Sequence, residues 1–296
     1  MGAAACDAAV EQLTRLLDQA EEPLKQTFQN VHQGYPAEAL VRFLKAREWH
    51  VLKARDMLVD SLNWRIQNEI DSILEKPIIP VDLYRSIRET QLVGLSGYSK
   101  EGIPVFSIGV GLSTYDKASV HYYVQSHIQI NEYRDRIILP MVTKKFGRPI
   151  STCIKVLDMT GLKLSALNQI KVVKPLLQER TRKKVHVLHG CGRDELLKIM
   201  DHSSLPHFCL REGTGSSKNS SSDIDSCFSL DHPFHQELYH YTEEQALKRE
   251  LIKQGSLHVN IPDQDPEDAK IVEAIEAEFH KLGEQNGSSV NGDHKE

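Results

Sequence analysis

The stretch Leu40-Val-Arg-Phe-Leu-Lys-Ala-Arg-Glu-Trp-His-Val51 decides the fold of the first part of this chain. Leu40, Phe43 and Leu44 recur at the spacing of one helix face, which predicts an amphipathic helix. Gly34-Tyr35-Pro36 precedes that helix, and proline is well suited to the first turn of a helix. The stretch therefore predicts two amphipathic helices joined by a short turn.

Apolar residues on either side of this stretch extend the helical pattern over residues 8–68. An upstream helix is predicted from the spacing of Leu13, Leu16, Leu17, Ala20 and Leu24. A downstream helix is predicted over residues 52–66, with Ala54, Leu58, Leu62 and Trp64 buried. Together these helices form a small bundle.

The composition bounds the classes of function. With 296 residues the chain can bury a sizeable core, and its net charge of −5 argues against a general nucleic-acid binder. Its five cysteines show no paired spacing, which favours a reducing compartment. The chain starts without a secretory signal and has no apolar run near the ~20 residues that cross a bilayer. We therefore expect a cytoplasmic protein whose contact with membranes is peripheral.

After residue 77 the pattern changes to short apolar runs that alternate with helices. Leu92-Val-Gly-Leu95 and Pro104-Val-Phe-Ser-Ile108 flank Lys100-Glu101-Gly102, which predicts a β-hairpin. Further strands are predicted over residues 152–157 and 184–188, and helices over residues 119–139, ended by Pro140, and 193–200. This alternation predicts an α/β fold with parallel strands.

The predicted organisation has four parts. Residues 1–76 form a helical module and residues 77–212 an α/β domain. Residues 213–232 form a flexible linker rich in Ser and Gly, and residues 233–296 a partly disordered tail. Helices are expected in this tail over residues 235–253 and 267–282.

The ordered set of residues from Leu40 to Arg65 resembles the N-terminal helical module of the CRAL-TRIO family. More narrowly, it is similar to the phosphatidylinositol/phosphatidylcholine transfer proteins of the secretory pathway. Later motifs of that family follow in the right order, and the resemblance covers residues 36–212. They are Gly102-Ile-Pro-Val105, Val156-Leu-Asp-Met-Thr-Gly161, Lys174-Pro-Leu-Leu177, Thr181-Arg-Lys-Lys-Val-His-Val-Leu188 and Leu205-Pro206, the last without the family's glycines.

The resemblance implies a mixed, largely parallel sheet flanked by helices, which forms the floor of a hydrophobic lipid pocket behind a mobile helix. It implies a monomeric, non-catalytic protein that needs no cofactor and binds one phospholipid as its ligand. Phosphatidylinositol is the expected ligand, with phosphatidylcholine open as a second, in phosphoinositide signalling or vesicle trafficking. Each buried CH₂ of an acyl chain contributes ~0.8 kcal/mol, so a dry cavity can compete with a bilayer.

The family's head-group contacts fall on four residues of this chain, Arg47, Thr181, Lys184 and Ser165. Glu48 stands where the family has a lysine after the arginine. Around them a local excess of basic residues predicts docking to anionic membranes, worth ~1 kcal/mol for each basic residue. These docking residues are Lys171, Lys174, Arg180, Arg182 and Lys183.

One departure from the family puts the pocket in doubt. Only twelve residues, 162–173, separate Gly161 from Lys174, and a helix of that length spans ~18 Å. The family's helix, return strand and half of its mobile helix cannot fit there. We therefore expect a shortened form whose sheet lacks one strand, and which binds lipid weakly or not at all.

Other classes of function stay open. No GxSxG, P-loop, HExxH or GxGxxG motif supports an enzyme. A cluster of zinc-ligand types, without the spacing of a zinc finger, leaves a metal site as a minor alternative. Its members are His186, His189, Cys191, His202, His207 and Cys209. A carrier of another hydrophobic molecule and a regulatory scaffold are the remaining alternatives.

Overall fold

The computed structural model describes residues 2–32, 34–162, 179–188, 190–210 and 226–255. The chain divides into two units, Met1–Leu247 and Lys248–Glu296. The first unit contains the helical module and the sheet. In the second, residues 248–255 are helical, and Lys253 Nζ lies 2.7 Å from Glu250 Oε1. Within the described ranges no helix is long and apolar enough to cross a bilayer.

The helical module consists of four α-helices that enclose a core of their own. They are α1 (Ala3–Asp18), α2 (Glu22–His32), α3 (Pro36–Ala46) and α4 (Val51–Gln67). Pro36 occupies the first turn of α3, where a missing N–H costs nothing. Leu13, Leu44 and Ala54 are completely buried, each at 0 % exposure. The predicted bundle is confirmed, because one apolar stripe from each helix meets the others in this core.

The sheet of the described part has three strands in the order β1-β2-β3: Val93–Tyr98, Pro104–Gly109 and Ile154–Asp158. β1 and β2 are antiparallel, with Leu95 opposite Phe106 and a bulge between Leu95 and Gly97. β2 and β3 are parallel, with Val105 opposite Ile154. The predicted hairpin, the parallel pair and the mixed α/β class are thus confirmed.

Alternating residues send side chains to opposite faces of the sheet. On one face Val93 and Phe106 pack against Ile130, Phe234 and Leu238. The other face carries a smaller cluster. It consists of Val105, Ile154, Val156, Leu196, Met200, Leu205 and Cys209. The sheet is therefore covered by helical segments on both sides.

The remaining helical elements cover the sheet or lead into it. A 3-10 helix (Ile70–Glu75) connects the helical module to the rest of the unit. The α-helices are α5 (Val81–Thr90), α6 (Val120–Tyr133), α7 (Leu139–Phe146), α8 (Glu179–Arg182), α9 (Arg193–Leu196), α10 (His207–Leu210) and α11 (Pro233–Gly255). The helix predicted over residues 235–253 is thus confirmed, and the one over 267–282 lies outside the described residues.

The prediction that Pro140 ends a helix is wrong. The chain passes from α6 through a π-helical turn, Arg134–Ile138, directly into α7. Pro140 lies in the first turn of α7, where no N–H donor is required. The wider π turn changes the hydrogen-bonding pattern just before the proline, so the helix continues past it.

Three further predictions differ from the structure. Trp64 is 50 % exposed, because Ala54, Leu58 and Leu62 define the buried stripe of α4 and Trp64 lies off it. The strand predicted over residues 184–188 is an exposed irregular segment, since no described strand pairs with it. The helix predicted over residues 193–200 is shorter: α9 ends at Leu196, and Met200 forms a β-bridge with Ser99.

The core of the helical module gives a direct test. Leu58 is 1 % exposed, and Leu58→Ala should lower the free energy of unfolding by about 3 kcal/mol through lost apolar burial and a residual cavity. Leu52→Ala on the same helix, where the leucine is 56 % exposed, should change it by less than about 0.5 kcal/mol. Urea unfolding followed by circular dichroism measures both. Equal effects would contradict this packing.

Candidate functional site

Thr181 and Lys184 occupy one exposed helical turn. α8 ends at Arg182, and the backbone N–H of Lys184 donates to the carbonyl of Thr181 over 3.0 Å. Both side chains are exposed, and neither forms a hydrogen bond or ion pair within the described ranges. A free hydroxyl and a free ammonium side by side form a surface that can accept a phosphate group.

Arg47 lies elsewhere, at the carboxyl end of α3. Its Nη1 donates to the carbonyl of Ala46 over 3.3 Å, and the side chain is half-buried. The following residues, Glu48 and Trp49, have positive φ angles of 54° and 65°, and the Trp49 N–H donates to Leu44. None of the described hydrogen bonds or ion pairs connects Arg47 to Thr181 or Lys184. A shared head-group site therefore stays a prediction.

The predicted docking residues are only partly described. Arg182 and Lys183 are exposed, and Lys183 pairs with Glu179 at 2.8 Å. Arg180 lies in α8, while Ser165, Lys171 and Lys174 lie outside the described residues. Exposed apolar residues follow directly in the chain, at Val185, Val187 and Leu188. We call residues 182–188 the docking segment, because basic and apolar side chains are exposed together along it.

The outer edge of β3 is the other feature that bears on a lipid pocket. β3 pairs with β2 on one side, and no described strand pairs with its other side. Leu157 near the end of this strand is 51 % exposed. Exposed apolar residues on an unpaired strand are the expected result of a sheet that is one strand short.

A cleft lies between the helical module and the helices α6 and α7. Its volume is about 110 Å³, enough for a few water molecules or a small polar group. Its lining combines apolar side chains with charged ones. The lining residues include Val31, Tyr35, Glu38, Ala39, Arg42, Arg65, Glu132, Asp135, Leu139, Thr143 and Ile150.

Arg65 forms the centre of an ion network beside this cleft. Its Nη1 and Nη2 both donate to the Glu132 carboxylate at 2.8 Å, and Nη2 reaches Asp71 Oδ1 at 2.7 Å. Arg136 donates to Glu132 over 3.0 Å and to the carbonyl of Asp71 over 2.8 Å. The four residues join α4, the 3-10 helix, α6 and the π turn. We call them the junction network.

The electrostatics of the junction network follow from partial burial and close pairing. Burial alone would raise the pKa of Asp71, but hydrogen bonds from Asn30 and Arg65 and the charge of Arg65 outweigh it and hold the pKa below its ordinary value. Burial would lower the pKa of Arg65, and Glu132 and Asp71 raise it instead. The stability contributed by Asp71 is therefore present above its ordinary pKa of 3.8 and is lost as the pH falls through the lower, folded value.

The sequence pointed to only half of this network. Arg65 belonged to the motif that carries the family resemblance, and Glu132 and Arg136 have the i,i+4 spacing of a helical ion pair. Arg65 and Glu132, however, are 67 positions apart. Only the tertiary structure shows that they meet. For the alternative of a metal site, the described ranges hold no group of three or more His, Cys, Asp or Glu arranged to bind an ion.

Known proteins resemble this chain in two ways. Residues 9–60 match the family model of the CRAL/TRIO N-terminal domain. A phosphatidylinositol/phosphatidylcholine transfer protein of Arabidopsis thaliana, SFH9, is 26 % identical over 62 % of this chain and 39 % of its own length. SFH12 of the same plant is 24 % identical over 64 % of this chain and 44 % of its own length.

A third relative comes from an animal. The CRAL-TRIO domain-containing protein T23G5.2 of Caenorhabditis elegans is 28 % identical over 65 % of this chain and 33 % of its own length. The chain therefore matches less than half the length of each of these relatives. The residues that match the family model, 9–60, lie in the helical module, whose core and boundaries are described above.

The junction network can be tested by removing its centre. Arg65→Met leaves Glu132 and Asp71 without their main partner, and we expect a loss of about 3 kcal/mol in the free energy of unfolding. Arg65→Lys should recover only part of it, because an ammonium cannot form the two parallel bonds to Glu132. Arg55→Met, which removes an exposed pair with Asp56, is the matched control and should cost less than about 0.5 kcal/mol. A small effect of Arg65→Met in urea unfolding would contradict the role of the network.

Proposed function

We propose that this chain is a member of the CRAL-TRIO family and a non-catalytic protein that binds phospholipid at cytosolic membrane surfaces. Phosphatidylinositol is the proposed ligand, with phosphatidylcholine as a second, in support of phosphoinositide signalling or vesicle trafficking. The observation that carries this proposal is the exposed turn of Thr181 and Lys184, a hydroxyl and an ammonium free to meet a phosphate. The names of the relatives support the same class of ligand.

The proposed head-group contacts combine charge neutralisation with hydrogen bonding. The Lys184 ammonium neutralises the lipid phosphate, and the Thr181 hydroxyl donates a hydrogen bond to one of its oxygens. Arg47 and Ser165 are proposed as further contacts, at the inositol phosphate and near a choline head group. The acyl chains are held in an apolar pocket of the α/β domain, where burial of each CH₂ contributes ~0.8 kcal/mol.

The docking segment supports a peripheral and reversible contact with the bilayer. Arg182, Lys183 and Lys184 attract anionic lipid head groups, and the exposed Val185, Val187 and Leu188 add apolar area next to them. Lys171, Lys174 and Arg180 are proposed to belong to the same surface. We propose that the protein works as a monomer, loads its lipid there and returns to the cytoplasm.

Removal of the Lys184 charge tests the head-group site. Lys184→Gln should reduce the amount of phosphatidylinositol that the protein extracts from labelled liposomes about tenfold, the loss expected for one charge-assisted hydrogen bond. Lys198→Gln is the matched control, because Lys198 is an exposed lysine of the same domain that pairs with Glu195. Equal extraction by both variants, at wild-type level, would refute the assigned role of Lys184.

The docking segment predicts a dependence on anionic lipid. Arg182→Gln with Lys183→Gln should weaken the partition onto phosphatidylserine-containing vesicles, about fivefold for each charge removed. Lys144→Gln with Lys145→Gln removes two exposed lysines of α7 and should have little effect. Vesicle co-sedimentation at low and physiological salt measures both. The proposal fails if the two double variants lose binding equally.

A second candidate function follows from the outer edge of β3. The unpaired edge and the exposed Leu157 support a regulatory or scaffold form whose lipid pocket is incomplete. Incubation with labelled liposomes and re-isolation of the protein decides between the two. Recovery of one lipid per protein favours the transfer protein, whereas a folded protein that carries no lipid favours the scaffold.

A further inference from the structure

α11 covers one face of the sheet through a row of aromatic contacts. The ring of Phe234 meets that of Phe106 edge to face at 5.7 Å, and Tyr241 meets Tyr133 at 5.4 Å. Tyr239 extends the row to Tyr84 on α5 at 5.1 Å. Along the described chain these contacts hold the start of α11 against β2, α5 and α6.

His235 lies under this cover and is completely buried, at 0 % exposure. Its Nε2 is 3.1 Å from the carbonyl oxygen of Cys227. A carbonyl only accepts, so Nε2 carries the proton and Nδ1 is the bare nitrogen of a neutral ring. That Nδ1 is buried without a hydrogen-bond partner. A second proton on the ring would therefore place a positive charge in a fully buried site.

The segment that holds His235 is fitted closely to the sheet. A Cβ on Gly94 of β1 would lie 1.7 Å from the Cys227 carbonyl oxygen, so only glycine allows this approach. Cys227 is itself buried, at 4 % exposure. Cys227 therefore lies against Gly94 of β1 and is hydrogen-bonded to His235.

A second buried cation-forming group lies near the start of α11, because Arg88 packs on the Tyr84 ring and that ring meets Tyr239, one helical turn after His235. Arg88 on α5 is 1 % exposed, and its Nη2 donates to Gln91 Oε1 at 2.5 Å and to the Ser126 hydroxyl. Its Nε and Nη1 have no hydrogen-bond partner, and the guanidinium lies 5.4 Å from the centre of the Tyr84 ring. A positive charge is thus already buried beside His235, and a second one would be repelled in a medium that screens poorly.

We propose that α11 is a cover that acid releases: protonation of His235 beside the buried Arg88 detaches the start of the helix from the sheet. Release would expose the aromatic face around Phe106 and Tyr133, while the opposite face of the sheet, with Cys209, stays packed. The inference concerns regulation and is independent of which lipid the protein binds.

The direction of the pH dependence follows from the groups that act on His235. Burial lowers its pKa most, the charges of Arg88 and His232 lower it further, and the neighbouring backbone of Cys227 and Val93 acts in the opposite direction without reversing the shift. The released state has the ordinary pKa of about 6.5. The closed state is therefore fully favoured above that pH, and below it one titrating group increases the released fraction up to about tenfold per pH unit.

Other groups that titrate nearby must be separated from His235. Burial also lowers the pKa of His232 on the same segment and of His127 on α6, so both add to acid sensitivity. Burial raises the pKa of the Cys227 thiol to about 12, so it stays protonated throughout. The comparison of His235 variants with the wild type isolates the contribution of His235.

Thiol labelling of the full-length chain at pH 7.5, 6.5 and 5.5 tests the cover. The reagent is 4,4′-dithiodipyridine, which reacts in acid, and mass spectrometry reads each cysteine. The buried Cys227 should be labelled several-fold faster at pH 5.5 than at pH 7.5, relative to the exposed Cys191. Cys209, buried in the cluster around Val105 and Met200, should remain protected.

Three variants assign the effect. His235→Gln keeps a donor for the Cys227 carbonyl but cannot titrate, so its Cys227 labelling should be largely independent of pH. His240→Gln, which changes an exposed histidine of α11, should behave like the wild type. Arg88→Met removes the repelling charge, which raises the pKa of His235 in the closed state and should weaken the pH dependence.

Two outcomes would overturn the proposal without any variant. Labelling of Cys227 in the wild type that does not change with pH would exclude release, and parallel labelling of Cys209 would show general unfolding. If His235→Gln does not fold, Arg88→Met still decides the matter. An unchanged pH dependence in that variant contradicts the role of the buried charge.

Discussion

The junction network is the interaction on which the rest of the molecule depends. Arg65 joins α4 to Glu132 on α6 and to Asp71 on the connecting 3-10 helix. A partly buried guanidinium and two partly buried carboxylates are costly to remove from water, and their pairing within hydrogen-bond distance offsets that cost. The network therefore ties α4 of the helical module to the 3-10 helix and to α6.

Strand pairing explains why the hairpin side and the β3 edge of the sheet differ. β1 and β2 form a hairpin, and the start of α11 covers one face of it. β3 is paired on one side, and its outer edge has no partner among the described strands. Residues 185–188 have the composition of a strand and remain exposed and irregular. Strand structure comes from partners, so apolar composition without a neighbour does not produce it.

The proposed lipid function and the unpaired edge of β3 favour different conclusions about the lipid pocket. The match of residues 9–60 to the CRAL/TRIO N-terminal domain and the free Thr181 and Lys184 side chains favour phospholipid binding. The unpaired edge of β3 favours a form whose pocket is incomplete. The buried residues Arg88 and His235 bear on a separate question. It concerns how firmly α11 is held on the sheet, and it depends on charge within the interior and on no ligand.

Local spacing in the sequence determined the helical module, the hairpin and the last helix, because each depends on contacts between near neighbours along the chain. It also indicated a resemblance to the CRAL-TRIO family, through motifs that occur in that family's order. Only the tertiary structure decided that Arg65 meets Glu132, that α6 continues through a π turn past Pro140, and that Trp64 is exposed. These features depend on which distant segments share a surface, and hydrophobic periodicity carries no information about that choice of partner.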